Sequence, residues 1–314
     1  MSVGVEVSTE TFQHETFFYG DDGEFVEYVA GFIRDGLEQD QVVAVAEPPR
    51  NIGLLRDELG ADAGAVQFFD MTQIGANPAR IIAVWQAFLD AQTAAGRSAR
   101  GVGEPAWPGR RDAELSECLV HELLLNRAFG GGPHWRLLCP YDESALPLEV
   151  LAGALRSHPV RSSSGERVPT GHYDEDAVLA AFAAPLPPAP DTAQRHRYDV
   201  AGLAATRALI AEFAAGCRLP AARTEELVLA SSELAANSAR HGGGSGSLVL
   251  WREPDAMLME FTDAGQITEP LVGRRQPPLE AISGRGIYLV NQLCDLVQLR
   301  SSADGTTIRI TTWL

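Results

Sequence analysis

The chain has 314 residues, 45% hydrophobic and 21% charged, which suits an ordinary soluble protein of two domains. Its net charge of -17 argues against nucleic-acid binding, which needs a basic face to displace counterions from phosphates. All 25 basic residues are arginine, which excludes a Gly-Lys-Ser/Thr phosphate loop and Schiff-base chemistry on lysine.

No apolar run nears the roughly 20 residues that a membrane helix needs. The N-terminus lacks the basic-then-apolar order of a signal peptide, so a cytoplasmic protein without membrane contact is expected. Cys118, Cys139, Cys217 and Cys294 lie far apart, form no CxxC pair and have apolar flanks. Buried free thiols are expected there, rather than a metal site or disulfides.

In chain order, strand and helix patterns alternate first. Helical spacing covers Phe25 to Leu37, a β-rich run Val42 to Glu47, and a helix Asn51 to Leu59. A strand follows at Val66 to Asp70, then a helix opened by Pro78 and running to Gln92, and a strand at Ala99 to Glu104. An amphipathic helix from Ala113 to Phe129, a strand from Trp135 to Asp142 and a helix from Leu146 to His158 complete the series. Repeated βα units predict an α/β domain with a mostly parallel sheet and helices on both faces.

Four prolines in AAPLPPAPDTAQRHR, Ala183 to Arg197, mark an interdomain linker. The expected division is therefore 1–182, linker 183–197, and 198–314. Beyond the linker come helices at Gly202 to Gly216 and Pro220 to His241. A hairpin pairs Leu248–Arg252 with Met257–Thr262, and a helix runs from Gly286 to Asp295. Two last strands, LVQLR and TTIRITTWL, complete an α/β sandwich predicted to have a mixed sheet.

Four motifs in this second part can carry chemistry. In ELAANSARHG, Glu233 and Asn237 stand one helical turn apart on one face. The carboxylate can accept a proton, and the carboxamide oxygen suits Mg²⁺. TDAGQI follows a strand and offers Asp263 as acceptor for an adenine amino group, with Gly265 allowing close backbone approach. SGRGIYLV puts Gly284 and Gly286 before a helix whose free N–H groups can hold phosphate, with Arg285 between them. GTTIRI opens the last strand. Taken singly, each also reads as a solvated face, a turn or a helix start.

In this order and spacing, the four motifs resemble the ATPase domain shared by histidine kinases, gyrase and Hsp90 (the GHKL superfamily). The similarity is greatest to its anti-sigma-factor serine/threonine kinase branch. The resemblance covers Tyr198 to Leu314 and implies a Bergerat-type fold that binds ATP and Mg²⁺. It makes Glu233 the catalytic base and Asn237 the magnesium ligand. His241, Gly242, Asp263, Gly265 and Thr306 fall on the nucleotide side, and Gly284, Arg285 and Gly286 on the phosphates. The chain departs from the superfamily pattern at Ile267, where a second glycine is common. The implied function is an anti-sigma factor that phosphorylates a STAS anti-anti-sigma protein and so controls a sigma factor. The alternative is a nucleotide-binding module that sequesters a partner without phosphotransfer. ATP hydrolysis of the chaperone kind is a third reading. His121-Glu122 superficially matches a histidine phosphoacceptor box, but LLLNR follows it and not the basic residue and proline that the box wants.

The first part resembles the MEDS sensory domain from about Phe12 to Pro159. The residues concerned are HETFFYGDDGEF, GVGEPAW, ECLVHELLLNRAF, LLCPYDESALP and His158-Pro159. The resemblance implies a RecA-like core that senses an unknown small molecule. Strand ends of parallel sheets face the usual ligand crevice, so Glu104, Trp107, Tyr141 and Asp142 are candidates, with His14 and Tyr19 from a first loop. Local packing or a turn is an equal reading for each. Whether the chain forms a homodimer is left open.

Overall fold

The computed structural model describes residues 12–163, 166–278 and 284–314. They divide into two compact units: residues up to Ile74 with Trp85–Glu175, and Gly75–Val84 with Asp176–Leu314. No helix among the described residues is long and apolar enough to cross a membrane.

Elements of the first unit run β1 (Phe12–Tyr19), α1 (Asp22–Glu38), β2 (Val42–Glu47), α2 (Pro49–Leu59), β3 (Val66–Asp70), α3 (Met71–Ile74) and, from Trp85 on, α4 (Ile81–Ala94). They continue with β4 (Ala99–Gly103), α5 (Asp112–Phe129), β5 (Trp135–Asp142), α6 (Leu148–Ser157), β6 (Val160–Ser163) and β7 (Glu166–Pro169). The seven-stranded sheet has the order β3-β2-β4-β5-β1-β6-β7. It is parallel except for the β6–β7 hairpin.

β1 corrects the sequence reading, which placed His14 and Tyr19 in a loop. The segment FQHETFFY carries a histidine, a glutamate and a glutamine, so it shows no apolar run, yet it is an interior strand between β5 and β6. The sheet tolerates Glu15 because its carboxylate is satisfied. Arg136 Nε lies 2.7 Å from Oε1, and Arg167 Nε and Ser162 Oγ each lie 2.8 Å from Oε2. Burial pushes this carboxyl up, but the two arginines and the serine outweigh burial and hold it below the usual range. Alternation along β1 sends Phe17 and Tyr19 into the core with α1, and Phe12 and His14 to the opposite face, where α5 supplies Phe129 and Glu122. Helices therefore cover both faces of the sheet.

The second unit contains α7 (Ala177–Ala183), β8 (Gln194–Asp199), α8 (Leu203–Gly216), α9 (Ala221–His241), β9 (Ser245–Glu253) and β10 (Ala256–Asp263). It ends with α10 (Arg285–Leu293), β11 (Leu296–Ser302) and β12 (Gly305–Trp313). Its five strands lie in the order β11-β12-β10-β9-β8, and every pairing is antiparallel, where a mixed sheet was expected. β12 runs antiparallel to both β10 and β11, so no parallel pair forms, and the added strand β8 lies mostly in residues read as linker. Its edge position needs only one partner, β9, and the prolines stop at Pro190, before the strand begins. Leu227, Ala230 and Leu234 of α9 and Ile210 of α8 pack on Leu248, Met259, Phe261 and Ile308 to form the core beneath the helices.

Candidate functional site

α9 is long and carries the Glu-Asn pair near its C-terminal end. Leu227, Ala230, Leu234 and Ala235 bury one face, which leaves Glu233 and Asn237 half-exposed on the next. α10 opens at Gly284, whose φ of 86° is a left-handed conformation that suits glycine. Two residues on, Gly286 faces the pair. A Cβ added there would stand 3.1 Å from Glu233 Oε2 and 3.2 Å from Asn237 Nδ2. The start of α10 thus lies against both side chains, a carboxylate and a carboxamide whose Oδ1 stands 3.8 Å from that Cβ position. That donor set fits a hard divalent cation, and the bare glycine leaves room for it and for phosphate. Arg285 is exposed and donates to the Pro278 carbonyl at 3.1 Å. Ser283, the first residue of that sequence motif, lies outside the described residues.

Asp263 ends β10, as its motif predicts. Its Oδ1 accepts from Gly265 N at 2.8 Å and its Oδ2 from Ser238 Oγ at 2.7 Å, and Tyr198 donates to that serine at 3.0 Å. Each carboxylate oxygen keeps a lone pair beyond these bonds. Thr306 sits opposite Asp263 in the strand register and donates to the Gly265 carbonyl at 2.8 Å. Three glycines permit this packing. A Cβ on Gly242 would lie 2.4 Å from Asp263 Cγ, one on Gly265 2.5 Å from His241 O, and one on Gly305 2.3 Å from Asp263 O. His241 is the last residue of α9 and is exposed. The structure therefore gathers Asp263, Gly265, Gly242 and Thr306 on one side, and Glu233, Asn237 and Gly286 on the other. Ser238 joins the two, since it lies next to Asn237 on α9 and bonds Asp263. Sequence reading missed Ser238 and Tyr198, which look like ordinary helix and strand residues until the hydroxyl chain to Asp263 is seen.

The six candidates in the first unit do not form one set. Tyr19 donates to Glu104 Oε1 at 3.0 Å, and Asn51 Nδ2 bridges Glu104 at 2.8 Å and Glu47 at 3.2 Å. His14 and Tyr141 lie on the other face, beside His158. Tyr141 lines a cavity of about 310 Å³ with Ala106, Leu115, Cys118 and Val150. Trp107 stacks under the Arg110 guanidinium at 3.6 Å, and Asp142 accepts from Ser144 N at 3.0 Å to close a turn. Glu47 and Asn51 were not read from the sequence.

Burial drives the Glu104 carboxyl up to about 7, and burial together with the Glu104 charge lifts Glu47 well above its ordinary value. The folded pair therefore holds protons that the unfolded chain releases near 4.5. Its contribution is complete at pH below 4.5 and fades as the pH rises through about 7. Urea unfolding of the full chain should lose up to about 1.4 kcal/mol per pH unit in that window for each proton retained. Glu104→Gln should flatten the slope, and an unchanged slope would remove the pair as its source.

Residues 13–159 match the family model of the MEDS (methanogen/methylotroph, DcmR) sensory domain, and residues 197–312 that of the histidine kinase-like ATPase domain. No curated protein matches the chain. Among solved structures, the RsbU and RsbW domains of Rv1364c from Mycobacterium tuberculosis align at 18% identity over 65% of this chain, with a TM-score of 0.31. The alignment spans 49% of that protein, about half its length. A likeness of that size leaves the assignment on the family models and the geometry above. The chain thus carries, in series, a segment that matches the MEDS sensory domain and a segment that matches the histidine kinase-like ATPase domain.

Proposed function

We propose that the C-terminal unit is an anti-sigma factor with serine/threonine kinase activity, which binds Mg-ATP and phosphorylates a STAS anti-anti-sigma protein. The observation that carries the reading is the approach of Gly286 to Glu233 and Asn237, which sets a base and a magnesium-binding oxygen beside a helix N-terminus. Asn237 would hold the magnesium ion, which offsets the negative charge of the phosphates when bound. Asp263 accepts a hydrogen bond from the nucleobase amino group, and Thr306 holds the Gly265 carbonyl that shapes the floor beneath it. Glu233 takes the proton of the acceptor hydroxyl as its oxygen bonds to the γ-phosphorus. The bond from that phosphorus to the β–γ bridging oxygen breaks, and ADP leaves. Arg285, at the mouth of α10, supplies positive charge to the leaving phosphate side.

His121 bears on the histidine-kinase alternative. It is 1% exposed on α5, so its ring is withdrawn from a phosphate donor. The N-terminal unit takes the part of the sensor, with the cavity lined by Tyr141 as the space for a small molecule. The domains are 1–182 and 198–314, joined by the linker 183–197, whose last residues enter β8. The test is transfer of label from γ-labelled ATP to a STAS protein of the same genome by the full chain, sensitive to Glu233→Ala. Tight ATP binding without any labelled acceptor would reduce the protein to a nucleotide-dependent sequestering module.

A further inference from the structure

The sheet and helices of the first unit bring four ligand-type side chains into one fully enclosed cluster. His14 comes from β1, Glu122 from α5, Cys139 from β5 and His158 from the residue after α6. Each is at most 1% exposed. His14 Nε2 and His158 Nε2 lie 3.0 Å and 3.2 Å from the same oxygen, Glu122 Oε2, and Cys139 Sγ lies 3.4 Å from His14 Nε2. One donor atom from each residue falls within 4.8 Å of all the others.

The tautomers of both rings are set by their neighbours. Asn126 Nδ2 donates to the Ser157 carbonyl at 2.7 Å, which turns its Oδ1 toward His14 Nδ1 at 3.1 Å. His158 Nδ1 lies 2.8 Å from the Ala154 carbonyl. Carboxamide and carbonyl oxygens only accept, so each Nδ1 carries its hydrogen, and in the neutral form each ring aims an Nε2 lone pair at the carboxylate. Two lone pairs and an anion pointed at one spot, away from water, repel one another unless shared protons or a cation lie among them. Each bridging proton serves one nitrogen–oxygen pair, whereas a single metal ion serves all four groups.

We infer that His14, Glu122, Cys139 and His158 form a binding site for a divalent metal ion of the zinc class. The N₂SO set suits zinc, and donor atoms at zinc–ligand distances of about 2.0–2.3 Å in a tetrahedron stand roughly 3.3–3.8 Å apart, close to the spacings here. The Nδ1 bonds to Asn126 and Ala154 are the outer-shell contacts that orient metal-bound imidazoles. Four protein ligands close the shell, so the ion pins β1 and β5 to α5 and α6, and its binding free energy adds to folding.

The experiment uses the full chain, stripped with a chelator and reloaded with Zn²⁺ or Co²⁺, with metal content measured by mass spectrometry. One ion per chain is expected, with a thiolate-to-cobalt charge-transfer band and the intense visible absorption of four-coordinate cobalt. Cys139→Ser should abolish the charge-transfer band, and His158→Ala should cut retained metal at least tenfold. Where a variant does not fold, the cobalt spectrum of the unsubstituted chain decides: its charge-transfer band supports the site, and its absence overturns it. Failure to retain either metal, or equal retention by both folded variants, also overturns the proposal.

Discussion

Replacing Glu233 with alanine is expected to lower phosphoryl transfer to a protein acceptor by about 10²–10⁴-fold, with ATP affinity within a few-fold of the parent chain. The side chain is half-exposed on α9, so its truncation leaves no buried cavity and removes no core contact. The effect should therefore appear in the transfer rate and not in thermal stability. Glu233→Gln sharpens the test, because it keeps the shape facing Gly286 and removes only the proton acceptor. Single-turnover assays with labelled ATP measure both variants. A parent-like transfer rate in the glutamine variant would remove Glu233 from the role of base.

Asp263→Ala should act on binding. The carboxylate is the end of the chain Tyr198–Ser238–Asp263 and also ties down Gly265 N. Removing it would take away the proposed nucleobase acceptor and leave the Gly265 amide without its side-chain partner. A charge-assisted hydrogen bond is worth about 1.5–3 kcal/mol, which corresponds to a loss of ATP affinity of roughly 10- to 150-fold. The parent chain should also prefer ATP over GTP, because guanine presents a carbonyl where adenine presents the amino group. Competition binding with both nucleotides checks each point. The variant should lose that preference, and equal affinities in the parent would mean that Asp263 does not read the base.

The second unit was the more legible part of the sequence, and the reason is local. Glu233 and Asn237 lie four apart on a helix whose apolar period is plain, and Asp263 and Thr306 sit at strand ends marked by glycine. Each such signal spans a few residues. β1 was hidden because Glu15 and His14 break the apolar run of an interior strand, and their partners Arg136, Arg167 and Glu122 lie more than a hundred residues away. β8 was hidden by its adjacency to the prolines, although an edge strand needs only one good neighbour. The cluster of His14, Glu122, Cys139 and His158 offers no sequence spacing at all, since its members come from four separate elements. Cys139 in isolation reads as a small buried hydrophobe, and only the assembled fold shows what surrounds it.

The glycines illustrate the same limit. Gly305 has a φ of 127° and would drive a Cβ into the Asp263 carbonyl, and Gly242 has ordinary backbone yet would collide with the Asp263 side chain. A sequence shows both as turn residues. The packing shows that they let α9 and β12 close around one carboxylate.

The claim beneath all of this is that α9, the end of β10 and the start of α10 surround one magnesium-bound nucleotide. Calorimetric titration of the full chain with a non-hydrolysable ATP analogue, with and without magnesium, tests it most directly. One site per chain is expected, at least tenfold weaker without magnesium and equally weakened by Asn237→Ala. Absence of heat and of competition with ATP, or binding indifferent to both magnesium and Asn237, would contradict it.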